Sequence, residues 1–127
     1  MPVASQPTLT LTLPPAPESA RRARRHIVQH GLDPDLEHTV SLLTTELLAN
    51  AIKHAPGDGD VHLAAMIAPG FARVEVLDAG PGFDPEAITT GLGLRLVDKL
   101  ASRWGVETAR GTLVWFEVDR RRRRFSR

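Results

Sequence analysis

The chain has 127 residues, of which 42 % are hydrophobic and none is cysteine; this suits one domain with a two-layer core and excludes a disulfide framework, a thiolate metal site and a cysteine nucleophile. The net charge of +1 is unevenly spread, because six arginines stand at positions 120–124 and 127, and removing them changes the charge of the remaining body to −5. No apolar run approaches the roughly 18 residues that a membrane span needs, and residues 1–6 do not resemble a signal peptide, so we expect a cytoplasmic protein with no membrane partner.

The first two predicted elements are a strand and a helix. Residues Thr8 to Leu13 alternate threonine with leucine, which predicts a strand with one buried face. Glu18 to His30 predicts a helix that is stopped by Gly31. Its arginines lie mostly off the apolar stripe, and we interpret them as a solvated face.

The next helix is long and amphipathic. Asp33 is predicted to cap its free amides and Pro34 to occupy its first position. The helix is predicted to run to about Ala55. Its core stripe consists of residues at helical spacing, namely Leu36, Val40, Leu43, Leu47 and Ala51.

The second half of the chain predicts two hairpins separated by a loop and a helix. Val61 to Ile67 and Phe71 to Leu77 form the first hairpin, and Leu92 to Trp104 the helix, with Gly105 as its C-cap. Leu94, Val97 and Leu100 are expected to face inward. A final hairpin spans Val106–Thr108 and Thr112–Val118. The pattern predicts an α+β two-layer sandwich, with a mixed, mostly antiparallel sheet covered on one face by helices.

The C-terminal arginines are predicted to form a basic, disordered tail over residues 120–127, after a domain over residues 1–119. Only Phe125 interleaves with these arginines, so the aromatic platform of a single-strand binder is missing. Nucleic acid is therefore not an expected partner. Nucleic-acid binding stays an alternative, and it predicts a strongly salt-dependent affinity for nucleic acid that is lost when the tail is deleted.

Glu46, Asn50 and Lys53 lie at i, i+4 and i+7 of the long helix and share one face, with His54 beside them. A polar face is ordinary for a surface helix, but asparagine is a poor residue for a helix interior. Its carbonyl oxygen suits Mg²⁺, and Lys53 could meet a phosphate. Glu46 could accept a proton from an attacking hydroxyl or water.

Two glycine-rich segments follow at the ends of predicted elements. Asp78 ends a strand before Gly80 and Gly82, which permit close backbone approach. A strand-end carboxylate there either forms an Asx-type turn or accepts a hydrogen bond from a base amino group. Gly91 and Gly93 stand at a predicted helix start, where exposed amides favour a phosphate. The pattern is neither a P-loop nor a Rossmann fingerprint.

The three segments together resemble the ATP-binding fold shared by DNA gyrase, a heat-shock chaperone, histidine kinases and MutL. Within that fold the chain is most similar to the small anti-sigma factor serine/threonine kinases of bacteria. Residues 46–55 resemble the N box of that family, residues 78–83 its first glycine box and residues 91–94 its second, while Gly111-Thr112 is similar to its final Gly-Thr element. Residues 94–105 are similar to stand-alone ATP-binding regulators of actinobacteria.

The resemblance implies a cofactor, partners and residue roles. ATP and Mg²⁺ would be bound, Asn50 holding the metal and Asp78, with Thr112 nearby, the adenine amino group. Gly80 and Gly82 would shape the adenine pocket. The phosphates would be contacted by a set of second-box residues and a lysine, namely Gly91, Gly93, Leu94 and Lys53. Glu46 would be the base that activates a hydroxyl on an anti-sigma factor antagonist, and a sigma factor would be the second partner.

Three alternatives to a kinase remain open. Asp84 to Thr90 is short for a lid over ATP, which favours a nucleotide-gated binding module without significant transferase activity. A histidine kinase fragment is disfavoured because no phosphoacceptor helix pair precedes the domain. The third alternative is nucleic-acid binding through the C-terminal arginines. A homodimer is a further expectation, from the resemblance and from the first strand as an exposed edge.

Overall fold

The computed structural model describes residues 7–54, 59–78, 92–108 and 111–122. The elements in chain order are β1 (Leu9–Leu13), α1 (Glu18–Gln29), a 3₁₀ turn (Pro34–Leu36), α2 (Glu37–His54), β2 (Val61–Ala68), β3 (Phe71–Asp78), α3 (Leu92–Leu100), β4 (Arg103–Glu107) and β5 (Thr112–Asp119). The strands form one antiparallel sheet in the order β1-β2-β3-β5-β4. The predicted α+β two-layer architecture is confirmed.

The core lies between the helices and one face of the sheet. Alternate side chains of β3 point inward and are buried, beginning with Ala72, Val74 and Val76. Helix α2 packs against these strands and against both other helices. Its predicted core stripe is confirmed, since every member is buried. No helix within the described ranges is both long and apolar enough to cross a membrane.

The end of α3 differs from the sequence prediction. The helix ends at Leu100, which was expected to face inward and is instead 41 % exposed. The predicted helical residues Arg103 and Trp104 begin β4, and Gly105 is a strand residue rather than a C-cap. The cause is a tertiary contact. The Ser102 amide donates a hydrogen bond to the Glu117 carbonyl at 2.7 Å, so the chain pairs with β5 from this point.

Two further contacts explain why this segment is a strand. The Ser102 hydroxyl oxygen accepts a hydrogen bond from the Asp119 amide at 2.9 Å, which strengthens the junction with β5. A Cβ atom at Gly105 would lie 2.9 Å from ring atoms of Trp115, so only glycine fits beneath that ring without a shift. Pairing with β5 therefore outweighs the helical spacing of the local sequence.

Asp33 does not cap the long helix as predicted. It makes no side-chain cap hydrogen bond, and Pro34 begins the 3₁₀ turn rather than α2. Its Oδ2 atom instead accepts hydrogen bonds from the Gly70 amide and from Arg120 Nη2, both at 2.8 Å. Arg120 also binds Asp35 at 2.7 Å, and these carboxylates raise the pKa of Arg120 above its ordinary value. The first residue of the predicted tail is thus held by ion pairs, while residues 123–127 lie outside the described ranges.

The outer face of the sheet carries a compact ion cluster. Glu117, whose side chain is 9 % exposed, binds Arg73 at 2.8 Å and Arg103 at 2.7 Å. Arg73 also binds Glu75 at 2.8 Å and stacks 4.1 Å from the ring centre of Trp115. Burial lowers the pKa of Arg73, but the hydrogen bonds that Arg73 donates to Glu75 and Glu117 outweigh that effect and raise it. Through Glu117 the cluster joins β3, β5 and β4.

Glu117→Gln is expected to lower the free energy of unfolding by about 1–3 kcal/mol, because it removes the carboxylate that the partly buried Arg73 shares with Arg103. Urea unfolding measures this change. The matched control is Glu107→Gln on the exposed part of β4, where we expect a change within about 0.5 kcal/mol. If Glu117→Gln changes the free energy of unfolding as little as Glu107→Gln does, the cluster adds nothing to stability.

Candidate functional site

The topology brings five element ends to one end of the sheet. Strand β3 ends there at Asp78, and β5 begins there at Thr112, its register partner. Helix α2 ends shortly before β2 begins at Val61, which is the other register partner of Asp78. Helix α3 must start at this end, because the strand that follows it begins opposite Glu117, near the far end of β5.

Asp78 and Thr112 form a buried polar pair across β3 and β5. Both side chains lie on the helix-covered face, and the residues are 3 % and 2 % exposed. The hydroxyl oxygen of Thr112 is buried without a hydrogen-bond partner. An ionised carboxylate only accepts hydrogen bonds, whereas a hydroxyl can donate and accept. This pair can therefore recognise a ligand group that carries N–H donors.

Asn50, on helix α2, supplies a second group without a hydrogen-bond partner. Its Nδ2 atom is buried and has no hydrogen-bond partner, which costs about 1–3 kcal/mol in a folded protein. Among the buried side-chain polar atoms of the described ranges, three are without a partner, on Thr44, Asn50 and Thr112. Two of these three are positions predicted from the sequence to bind a ligand. The structure thus carries unsatisfied hydrogen-bonding capacity at the predicted site.

Thr44 is the member of this group that sequence reasoning missed. It is fully buried on α2, between the core positions Val40 and Leu48 at helical spacing. A polar residue within an apolar stripe is the signal that could have singled it out. The described contacts give no ligand-facing role for it.

Glu46 and Lys53 complete the polar face of α2. Glu46 is half-buried and stands one turn before Asn50, whereas Lys53 is exposed. At 1.5 Å per residue, the face from Glu46 to Lys53 extends about 10 Å along the helix axis. The adjacent Thr45 hydroxyl accepts a hydrogen bond from Arg24 Nη1 at 2.9 Å, so α1 fixes this part of α2.

The start of α3 contributes main-chain amides rather than side chains. Gly93 lies in the first turn, and Leu94 is 1 % exposed, so its side chain belongs to the core. First-turn amides have no partner within a helix and favour an anion. Gly80, Gly82, Gly91 and the segment Asp84 to Thr90 lie outside the described ranges, so their predicted roles stay predictions.

This arrangement defines an α+β domain with a polar site at one end of its sheet, between two helices. A family model of the histidine kinase-like ATPase domain matches residues 13–118, and the chain belongs to that family. The match runs from the end of β1 into β5 and therefore includes every predicted site residue. No curated protein matches the chain. Family membership implies ATP binding and supports a phosphotransferase or ATPase activity.

The described residues fit a nucleotide with Mg²⁺. Asp78 and Thr112 provide acceptors and a donor for a base, and Asn50 provides an amide that the protein does not satisfy. Rotation of this amide about χ2 exchanges its oxygen and nitrogen, so either atom can face a ligand. An amide oxygen is a suitable ligand for Mg²⁺, which otherwise takes phosphate oxygens and water.

Proposed function

We propose that this chain is a cytoplasmic, ATP-binding anti-sigma factor and a serine/threonine protein kinase. It transfers the γ-phosphate of ATP to an anti-sigma factor antagonist and sequesters a sigma factor, and so regulates transcription. The observation that supports kinase activity is a half-buried carboxylate, Glu46, one helical turn from the unsatisfied amide of Asn50. A carboxylate beside a side chain that would hold the metal ion of the nucleotide could act as a base.

The proposed reaction is a direct transfer to a hydroxyl. Glu46 takes the proton of a serine or threonine hydroxyl, whose oxygen attacks the γ-phosphorus. The bond between this phosphorus and the β–γ bridging oxygen breaks, and ADP leaves. Asn50 would hold Mg²⁺, which when bound would neutralise charge on the phosphates. Such transfer depends mainly on positioning and charge stabilisation, so a few well-placed groups suffice.

The remaining residues would bind the nucleotide. Asp78 accepts a hydrogen bond from the adenine amino group, with Thr112 beside it on β5. The amides of Gly93 and Leu94 at the start of α3 meet the phosphates. Lys53 is exposed and adds a positive charge near them.

A second candidate is a nucleotide-gated protein-binding regulator without significant kinase activity. The feature that favours it is the short stretch from Asp84 to Thr90, which offers little chain to cover the phosphates. Such a regulator would use the same Asn50, Asp78 and Thr112 to bind ATP. The two candidates therefore differ in phosphate transfer and agree on nucleotide binding.

The test is a phosphorylation assay on the full chain with labelled ATP, Mg²⁺ and a panel of candidate antagonist proteins. ATP binding is measured in parallel by calorimetry. We expect ATP binding together with label on a serine or threonine of one antagonist. Binding without transfer to any antagonist would favour the regulator, and absence of ATP binding would overturn both.

A further inference from the structure

Two groups of arginines have no role in the proposed function. Arg21, Arg22 and Arg25 lie on the solvent-facing side of α1, and Arg121 and Arg122 follow β5. All five residues are exposed, and none of them forms an ion pair with another described residue. We call these five residues the arginine surface. Three more arginines, at positions 123, 124 and 127, follow in the sequence but lie outside the described ranges.

Arg120 fixes the second group beside the C-terminal end of α1. Its side chain binds Asp33 at 2.8 Å and Asp35 at 2.7 Å, and both aspartates lie in the short connection between α1 and α2. Its backbone amide donates a hydrogen bond to the Gly70 carbonyl at 2.8 Å. A Cβ atom at Gly70 would lie 3.2 Å from Arg120 Nη1, so glycine leaves room for this side chain. The chain after β5 is therefore held next to the connection that follows α1.

The two groups are close enough to contact one double helix. The residues from Arg25 to Gln29 rise about 6 Å along α1. The residues from Gln29 to Asp33 span at most about 14 Å. Arg25 therefore lies within about 20 Å of Asp33, which Arg120 contacts directly. Since successive base pairs lie about 3.4 Å apart, this distance corresponds to about six base pairs.

The chemistry of the arginine surface favours the phosphates of a duplex over other anionic partners. A guanidinium group matches a phosphate with two parallel hydrogen bonds. Protein interfaces and membrane-surface helices depend on apolar anchors, but the exposed large hydrophobic side chain of the described ranges is Leu100, which lies on α3. Single strands stack on aromatic side chains, whereas contacts to a duplex backbone need none. The absence of aromatic residues among the arginines therefore disfavours single-stranded nucleic acid only.

The carboxylates near Arg120 leave most of this charge uncompensated. Asp33, Asp35 and Asp119 together with Arg120 carry a net charge of −2, whereas the arginine surface carries +5. Asp33 and Asp35 are held by Arg120. The Asp119 carboxylate accepts a hydrogen bond from the Arg121 amide at 3.0 Å. The guanidinium groups of the arginine surface thus remain available to an anion.

We propose that the arginine surface binds double-stranded DNA through its phosphates, without sequence specificity. Gly70 precedes β3 and Arg120 follows β5, so the contact that fixes the second group lies at the opposite end of the sheet from Asp78 and Thr112. DNA binding and nucleotide binding therefore use separate sites and can be tested separately. Nonspecific binding of this kind predicts a dissociation constant of about 1–100 µM at physiological salt.

The test is the fluorescence anisotropy of a short labelled DNA duplex of arbitrary sequence, titrated with the full chain at several salt concentrations. We expect the affinity to fall about 100-fold or more between about 50 and 200 mM NaCl, because phosphate contacts release counterions. The double variants Arg21→Gln/Arg25→Gln and Arg121→Gln/Arg122→Gln each remove one part of the surface. Each should weaken binding and reduce the slope of log affinity against log salt concentration by about 2.

The matched control is Arg95→Gln/Lys99→Gln on α3, which removes the same charge from two exposed residues that form no ion pair with the described residues. Helix α3 contacts β4 at one edge of the sheet, whereas α1 contacts β1 at the other edge. The control should therefore keep the slope of the unmutated chain. The variant Arg21→Lys/Arg25→Lys keeps the charge and should keep the slope within about 0.5. Circular dichroism and thermal melting verify that each variant is folded.

Four outcomes would overturn the proposal. The first is that the unmutated chain does not bind the duplex at low salt. The second is that the α1 variant keeps the full slope, which shows that the two groups do not act as one surface. The third is that the α3 control loses as much slope as the other variants, which reduces the effect to overall charge. The fourth is that polyglutamate, or vesicles of phosphatidylserine and phosphatidylcholine, displace the labelled duplex as well as unlabelled duplex does, which assigns the surface to an acidic protein or to a membrane.

Discussion

Glu46→Gln is expected to lower the rate of phosphate transfer to the antagonist by about 100-fold or more, while ATP affinity changes little. Glutamine keeps the size of the side chain but cannot take a proton at neutral pH. Glu46 forms no ion pair with the described residues, so the substitution should leave the packing of α2 intact. Single-turnover transfer from labelled ATP, with ATP affinity from calorimetry, separates the two effects.

The matched control for this result is Glu37→Gln. Glu37 is the first residue of the same helix and is also half-buried, but it lies far along α2 from Asn50. We expect its transfer rate to stay within about twofold of the unmutated chain, because it has no place in the proposed proton transfer. A Glu46→Gln variant that transfers phosphate at the unmutated rate would exclude Glu46 as the base. A rate loss matched by equal loss of ATP affinity would instead assign Glu46 to nucleotide binding.

Local pattern was sufficient to predict most of the fold. The period of α2 is clear because the residues of its core stripe, from Leu36 to Ala51, recur over about four turns, and every member of that stripe is buried. The first hairpin was predicted within a residue at its ends, because turn residues bound two runs of strand-forming residues.

The errors arose where distant contacts decide the local structure. The residues after Leu100 fit a helical period, and only pairing with β5 shows that they form a strand. Asp33 has the chemistry of a cap, yet its partners Gly70 and Arg120 lie 37 and 87 residues away. A single sequence gives no measure of such long-range hydrogen bonds. The role that a residue could have with its neighbours in the chain, such as helix capping, is therefore predicted instead.

The residues of the candidate site stand out in the sequence, but their assembly does not. Asn50 is singled out because asparagine is unfavourable inside a helix; the structure shows that its Nδ2 atom is buried without a partner, and its role as a ligand stays a prediction. The pairing of Asp78 with Thr112 depends on β5 lying next to β3, a strand order that no local motif encodes. It was expected only through the family resemblance. Burial of Thr112 on the helix-covered face likewise required the sheet register.

Asp78→Asn is expected to weaken ATP binding by about tenfold to 100-fold and to reduce the preference for ATP over GTP. The carboxylate only accepts hydrogen bonds, which suits the amino group of adenine and opposes the carbonyl oxygen that guanine has at the same position. An asparagine amide can turn its nitrogen toward that carbonyl, so GTP should lose less affinity than ATP. Calorimetric titrations of both nucleotides with both proteins give the ratio of affinities.

Asp60→Asn is the matched control, because Asp60 is exposed and stands directly before β2 at the same end of the sheet. It should leave both affinities unchanged, which separates a local contact from a general loss of negative charge. Thermal melts without nucleotide separate lost base recognition from lost folding, since asparagine has the shape of aspartate. A folded Asp78→Asn variant with the original affinity and the original ATP preference would contradict the role of Asp78 in reading the base. Nucleotide binding could then still occur through Asn50 and the start of α3, but without the specificity for adenine that a kinase using ATP needs.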